Sequence, residues 1–325
     1  MKKSLTDELL KIRPRLFVSA CLLGQAVRYD GRHKRDDGVL ALAENLDLYS
    51  LCPETAIGLG VPRAPIQLVA GEERIQLLQV NDPSRDYTQE METLVCSRLP
   101  ELTQIDGWIA KRNSPSCGLA GVPVYEKNGE LIHRHGRGVF SGTMQMLHPA
   151  LPAIEEQDLE NPQRRGNFLL QVYTHCRWRL LGGTSLTREA LKKFHHCHRY
   201  LLMARSLEGY HQLGCLLESG KESDISETYL RQMMMILKRG ERRHDLLQVI
   251  RMILQEVADQ LDSQATGSIA RAIESCRWRQ TTVSVLRNQL RDNLVSLGEI
   301  DLAIQLFMNA FPQSKQQGEK SPANQ

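Results

Sequence analysis

Residues 15–24 read RLFVSACLLG, a short apolar run that ends at a cysteine and is closed by a glycine. Residues 16–20 have the length and apolar character of a buried strand. Two similar runs, 46–51 and 105–110, are separated from it by segments with helical periodicity, such as 38–45. Alternating strands and helices predict an α/β N-terminal domain with a mainly parallel sheet.

Other segments of this domain give weaker signals. Residues 66–69 and 75–80 are apolar runs around Gly71, which predicts a β-hairpin. Residues 85–104 have helical spacing, and HRHGRGVFSG at 133–142 is interpreted as a solvated loop between a strand and a helix.

The second half of the chain predicts helices only. The polar stretch 155–167 marks the change, and strand signals fade after it. We therefore expect an all-α C-terminal domain. The expected domains are 1–160, 161–312 and a polar, disordered tail at 313–325.

Composition and charge narrow the function classes. The 325 residues include 41 basic and 38 acidic side chains, with a formal net charge of +3, so overall charge does not argue for nucleic-acid binding. No apolar run approaches the roughly 18 residues of a membrane helix. The start, MKKSLTDELLKIRPR, lacks the apolar core of a secretory signal. We expect a cytoplasmic protein without membrane association, in which the eight cysteines are reduced.

Three cysteines share one position relative to the predicted strands. Cys21 and Cys52 directly follow a strand, and Cys117 follows a third strand after a short loop. The carboxyl ends of parallel strands meet at one sheet edge, where ligands bind in α/β folds. Thiolates favour zinc, Cu(I) or iron–sulfur clusters, and three of them leave one coordination position open. On spacing alone, three small apolar residues at strand ends remain an equal interpretation.

Longer motifs around these cysteines resemble a known family. SACLLG and VRYDG lie within 19–31, CPE and GLGVPR within 52–63, and SPSCG at 114–118. With these motifs, residues 15–142 resemble the thiouracil desulfidase family. Residues 186–312 resemble a YbgA-like helical domain, on KFHHCHRYLLMARSLEGYHQLG at 193–214 and FMNAFP at 307–312.

The resemblance implies a cofactor and a reaction. It implies a 4Fe-4S cluster held by Cys21, Cys52 and Cys117, with one open iron site. It further implies a desulfidase that converts a thiolated nucleobase or a related thiocarbonyl compound, such as 2-thiouracil, to the oxo form without redox chemistry and releases sulfide. The expected partner is therefore a small thiolated base or nucleoside.

Further residues receive roles around this centre. Glu54 and Ser114 are the predicted catalytic residues, and Arg28, Asp30 and Ser116 are predicted to bind substrate. Each has a plainer interpretation. Glu54 fits a charge at a helix start or a salt bridge, the serines fit a turn, and Asp30 fits the Asp-Gly turn signal.

A second function is consistent with the same sequence. The three cysteines then hold a structural or regulatory metal, and basic helical segments such as LKRGERRH at 237–244 contact nucleic acid without catalysis. The sequence does not set the number of subunits.

Overall fold

The computed structural model divides the chain into two compact units. One is Ile12–Thr184, and the other includes Ser185–Gln325. The residues that the structure describes are 11–219, 225–261, 263–278, 283–294 and 302–308. The tail predicted to be disordered, 313–325, lies outside the described residues.

The first unit contains two sheets. Its described strands are β1 (Arg15–Ser19), β2 (Asp47–Leu51), β3 (Ile66–Ala70), β4 (Ile75–Gln79), β5 (Asp82–Asp86), β6 (Gly107–Ala110), β7 (Val122–Tyr125), β8 (Leu131–Gly136) and β9 (Ala153–Glu155). One sheet has the order β2-β1-β6-β9, and the other has the order β5-β4-β3-β7-β8.

The four-stranded sheet is parallel throughout, which confirms the predicted α/β class. Leu16 on β1 pairs with Leu48 on β2 and with Gly107 on β6. Ile109 on β6 pairs with Ile154 on β9. The inner strands are buried at all four residues of β6 and at the last four of β1, as expected for a sheet covered on both faces. Strand β9 was not predicted, because three residues are too few to show periodicity.

The five-stranded sheet is mixed. The predicted hairpin is confirmed, since β3 and β4 pair antiparallel, whereas β3 and β7 pair parallel. The helix predicted over 85–104 begins only at Thr88, because residues 82–86 form the polar strand β5. The loop predicted at 133–142 was wrong as well: its first residues belong to β8, which is exposed on both faces and so shows no apolar alternation.

The helices of the first unit cover and connect these sheets. They are α1 (Asp37–Ala41), α2 (Pro53–Ala56), α3 (Thr88–Ser97), α4 (Leu99–Leu102), α5 (Val139–Leu147) and α6 (Pro162–Leu180). Helix α6 begins at Pro162, behind an Asn161 side chain that accepts the N–H groups of Gln163 and Arg164. It packs so closely on β6 that a Cβ at Gly107 would lie 2.8 Å from Val172. The predicted boundary at 160 follows the change in sequence pattern, whereas the compact unit extends through α6 to Thr184.

The second unit is helical throughout its described part, which confirms the predicted all-α region. Its helices are α7 (Arg188–Cys197), α8 (Arg199–Met203), α9 (Leu207–Ser219), α10 (Ile225–Leu237), α11 (Arg243–Glu256), α12 (Ser263–Arg277), α13 (Val283–Leu294) and α14 (Leu302–Met308). Its core includes Leu191, Tyr229, Ile250 and Phe307, all nearly inaccessible to solvent. None of the described helices combines the length and apolar character needed to cross a membrane.

Candidate metal centre

The three predicted cysteines all lie at the carboxyl edge of the parallel sheet. Cys21 is in a 3-10 helix, Ala20–Leu23, that directly follows β1. Cys52 lies between β2 and α2, and Cys117 lies in the loop after β6. Because β1 pairs with both β2 and β6 in parallel, these loops leave the sheet on the same side.

Cys52 contributes to the raised pKa values of Cys21 and Cys117, the two buried thiols of this group. Burial, followed by the nearby Cys52, raises the pKa of Cys21 to about 11. Burial, the Glu54 carboxylate and Cys52 together raise the pKa of Cys117 to about 12. Cys52 therefore lies within electrostatic range of both other thiols. All three are free thiols.

Glu54 connects the second cysteine loop with the third. It lies in the first turn of α2, two residues after Cys52. Its Oε2 accepts hydrogen bonds from Arg63 Nε at 2.8 Å and Nη2 at 2.6 Å. Its Oε1 accepts the Ser116 hydroxyl at 2.7 Å. The plainer interpretation, a salt bridge with an arginine, is thus realised, but the same carboxylate also reaches the Cys117 loop.

The two serines have different roles in that loop. Ser114 Oγ accepts the backbone N–H groups of Ser116 at 3.3 Å and Cys117 at 3.1 Å, which shapes the turn. Ser116 is fully buried, and its Oγ lies 3.7 Å from Cys117 Sγ and 2.9 Å from Ser114 Oγ. The loop passes so close to Gly138 that a Cβ there would lie 2.4 Å from the Ser116 carbonyl oxygen. A glycine is therefore required at 138 for this approach.

The first loop is tied to the second through Arg63. Arg63 Nη2 donates to the Val27 carbonyl at 2.9 Å, and the Arg63 backbone N–H donates to the Tyr29 carbonyl at 2.9 Å. Cys52 Sγ lies 3.8 Å from the same Val27 oxygen. This contact places the VRYDG segment beside Cys52.

Arg28 and Asp30 lie within this segment. Arg28 Nε is 3.8 Å from Asp30 Oδ1, and its charge acts to lower the pKa of Cys21. Asp30 Oδ1 also accepts the Arg32 N–H at 3.2 Å, so the predicted turn forms. Against the opposing effect of desolvation, hydrogen bonds from Arg32 lower the pKa of Asp30. Arg28 thus lies within electrostatic range of Cys21, and Asp30 is held ionised beside Arg28 and Arg32.

Several residues around the three thiols were not predicted from the sequence. Ser19 Oγ accepts the Lys111 backbone N–H at 2.9 Å, and the Ser19 side chain acts to lower the pKa of Cys117. The Lys111 ammonium pairs with Glu156, and both charges act on Cys21. Ser19 belongs to the SACLLG motif, so the sequence could have identified it as a residue of this site. Glu156 follows β9, which the sequence did not reveal.

The three thiols are a donor set that an iron–sulfur cluster can use, because such clusters are held by cysteine thiolates. Thiolates also favour zinc and Cu(I). Among the described residues, no group of three or more Cys, His, Asp or Glu side chains is arranged to hold a single metal ion.

Comparisons with known families divide the chain as the structure does, into an N-terminal and a C-terminal part. Residues 16–156 match the family model described as 2-thiouracil desulfurase. Residues 199–312 match the model of a protein of unknown function, DUF1722.

Two similar proteins correspond to the N-terminal part. The uncharacterized protein YbbK of Bacillus subtilis (strain 168) is 29% identical over 152 residues, which is 45% of this chain and 98% of YbbK. A solved structure of the 4Fe-4S-dependent thiouracil desulfidase TudS is 29% identical and has a TM-score of 0.37. The match covers 46% of this chain and 94% of that one.

Proposed function

We propose that this chain, which joins a domain of the 2-thiouracil desulfurase family to a DUF1722 domain, removes sulfur from a thiolated nucleobase or a related thiocarbonyl compound such as 2-thiouracil. The reaction replaces C=S with C=O, consumes one water and releases hydrogen sulfide, with no net electron transfer. One observation carries the proposal: the Cys21, Cys52 and Cys117 thiols share one sheet edge, where Glu54 and Ser116 form a hydrogen-bonded pair.

We assign the three thiols as the ligands of a 4Fe-4S cluster with one iron left open. When bound, the cluster supplies a Lewis acid that polarises the thiocarbonyl bond. The thiols must lose their protons to bind, and the raised pKa values of Cys21 and Cys117 mean that both are protonated in the metal-free protein at neutral pH.

Glu54 is proposed as the general base that takes a proton from the attacking water. Arg63 donates two hydrogen bonds to Oε2, and Ser116 donates one to Oε1, which orients the group and leaves the second lone pair of Oε1 for the proton. A positioned base of this kind accelerates proton transfer by about 10²–10⁴-fold.

The remaining predicted residues are proposed to hold the loop and the substrate. Ser114 fixes the turn that presents Cys117, and Ser116 adds a hydroxyl between carboxylate and thiol. Arg28 supplies donors and Asp30 an acceptor, which complement the carbonyl and N–H groups of a pyrimidine ring.

Anaerobic reconstitution with iron and sulfide tests the proposal through iron content and sulfide release from 2-thiouracil. The Cys52→Ser variant is expected to lose both. Cys96→Ser, which changes an exposed thiol on α3, is expected to match the wild type.

The Glu54→Gln variant separates cofactor from catalysis. It is expected to retain iron and lose about 10²–10⁴-fold in rate, because the amide cannot accept the proton. Equal iron content in the wild type and Cys52→Ser would exclude the assigned ligands, and full activity of Glu54→Gln would exclude the assigned base.

A further inference from the structure

The loop that carries Cys117 is tied to the parallel sheet at both ends by two consecutive carboxylates. This loop connects β6 to β7. Ala110, the last residue of β6, pairs with Glu155, the last residue of β9. Because the two strands run parallel and end side by side, Glu155 and Glu156 lie next to the point where the loop leaves the sheet.

Glu156 holds the start of the loop. Its Oε2 accepts the Arg112 backbone N–H at 2.7 Å, and its Oε1 pairs with the Lys111 ammonium. The Glu156 side chain is 13% exposed, so these contacts are largely shielded from water. The ammonium also offsets the carboxylate charge beside the thiols, since the two charges act in opposite directions on the pKa of Cys21.

Glu155 holds the end of the loop, and its side chain is buried. Its Oε1 accepts the backbone N–H groups of Leu119 at 2.8 Å and Ala120 at 3.4 Å. Its Oε2 lies 3.9 Å from Arg112 Nε, at the other end of the loop. Hydrogen bonds to a carboxylate are about twice as strong as those between neutral groups, so both ends of the loop are firmly held.

The middle of the loop has contacts of its own. The bonds that Ser114 Oγ accepts lie within the loop and shape the turn. The Cys117 carbonyl accepts the buried Ser141 hydroxyl, and Ser116 donates to Glu54. Because the turn keeps its internal bonds, the loss of a carboxylate at either end is expected to displace the turn as a whole rather than unfold it.

We propose that Glu155 and Glu156 are positioning residues for the Cys117 thiol, because they hold its loop where the thiol can bind the same cluster as Cys21 and Cys52. Groups that orient metal ligands contribute about 10–100-fold to metal affinity. The inference rests on the proposed function for the cluster itself. The position of the loop, however, can be measured in the metal-free chain.

The rate at which iodoacetamide labels Cys117 in the metal-free, full-length chain at pH 8 measures this position. In Glu155→Ala and Glu156→Ala, labelling is expected to be about tenfold faster or more than in the wild type, since the thiol is less well buried. Cys176, buried in α6, reports unfolding of the whole unit and is expected to react as slowly as in the wild type. Glu160→Ala removes an exposed carboxylate from the same segment and is the matched control.

Reconstitution with iron and sulfide measures the effect on the cluster. Both alanine variants are expected to lose iron to a chelator about 10–100-fold faster than the wild type. Glu155→Gln and Glu156→Gln keep an acceptor oxygen for the backbone N–H groups and are expected to lie between the wild type and the alanine variants.

Three outcomes decide between the alternatives. Labelling of Cys117 at the wild-type rate in the alanine variants would overturn the proposal. If an alanine variant unfolds, seen as equal acceleration at Cys117 and Cys176, the glutamine variant decides: acceleration at Cys117 alone supports the proposal, and none overturns it. A wild type that binds no iron, together with faster labelling of Cys117 in the variants, would contradict the proposed function and still show that the two carboxylates hold the loop.

Discussion

Glu54 joins two chain segments far apart in sequence, because its two carboxylate oxygens have different partners. Arg63 binds one oxygen from the segment that follows α2, and Ser116 binds the other from the loop after β6. The side chain therefore sets the distance between the Cys52 and Cys117 loops. The same carboxylate thus has this structural role and the catalytic role that we propose for it.

Removing the Ser116 hydroxyl tests how far Glu54 depends on this orientation. We expect Ser116→Ala to keep its iron and to lose about tenfold or more in kcat, with a smaller change in KM, because the base is no longer fixed. Steady-state kinetics of sulfide release measure the effect. Ser97→Ala, which removes a hydroxyl bonded to a helix carbonyl in α3, is the control. Unchanged kcat in Ser116→Ala would argue against an orienting role.

The buried thiols predict pH-dependent chemistry in the metal-free protein. Because the pKa values of Cys21 and Cys117 are raised to about 11 and 12, both remain protonated at pH 8, and their thiolate fraction rises only as the pH approaches those values. Timed iodoacetamide labelling followed by peptide mass spectrometry should modify the exposed Cys96 and Cys215 before Cys21 and Cys117. Rapid labelling of Cys117 at pH 8 would contradict the buried arrangement.

At the scale of elements, Asp106 joins helix α6 to the parallel sheet. Its carboxylate accepts the Arg15 backbone N–H at 3.0 Å, Arg179 at 2.8 Å and His175 at 3.2 Å. Burial would raise the pKa of Asp106, but hydrogen bonds from Arg179 and His175 outweigh it and lower the value to about 2. The ionised form therefore stabilises the docking of α6.

This ion pair predicts acid sensitivity of the first unit. The pKa is lower in the folded than in the unfolded chain, so the stabilisation is complete above about pH 4 and is lost as the pH falls towards 2. Asp106→Asn is expected to lower the free energy of unfolding at pH 7 by about 2–4 kcal/mol. Urea unfolding measures this free energy. Asp47→Asn, in an exposed pair with Arg13, should change it by less than about 1 kcal/mol.

A histidine in helix α7 predicts that the stability of the second unit changes over a different pH range. His195 stacks on Tyr210 at 4.5 Å, and its Nδ1 lies 3.1 Å from the Tyr229 hydroxyl. Burial lowers the pKa of His195 to about 4. The unfolded chain binds a proton below about pH 6.5 and the folded chain does not, so stability falls between pH 6.5 and 4.

Hydrogen exchange of α7 peptides measures this effect. Protection in the wild type should decrease from pH 7 to pH 5 after correction for the intrinsic exchange rate. His195→Gln, which cannot be protonated, should show a smaller decrease. An equal decrease in both proteins would rule out His195 as the source.

At the scale of the whole molecule, the two compact units and the two family models follow the same N-terminal and C-terminal division but differ in where they end. The first family match ends at 156, whereas the compact unit continues through α6 to Thr184. Phe168, Leu170 and Val172 of α6 are buried, which explains why the unit extends so far.

Truncated chains test whether the first unit needs helix α6 to fold. A chain ending at Thr184 is expected to remain folded and to bind iron after reconstitution. A chain ending at residue 160 exposes the surface of β6 that α6 covers and is expected to aggregate. Gel filtration and iron content measure both properties, and equal behaviour of the two chains would show that α6 is dispensable.

The sequence by itself determined the elements whose residues follow a clear pattern. These are the strands that end before Cys21, Cys52 and Cys117, which are short apolar runs, and the helices of the second unit, which have helical periodicity. Local patterning is sufficient there because burial selects a run of apolar residues in a covered strand and apolar residues at the helical period in a half-buried helix. Only the tertiary structure decided which side chains meet: Glu54 reaches Ser116 across 62 residues, and Lys111 reaches Glu156 behind a three-residue strand. Such contacts depend on how strands pair and loops close, and neither leaves a periodic trace in the chain.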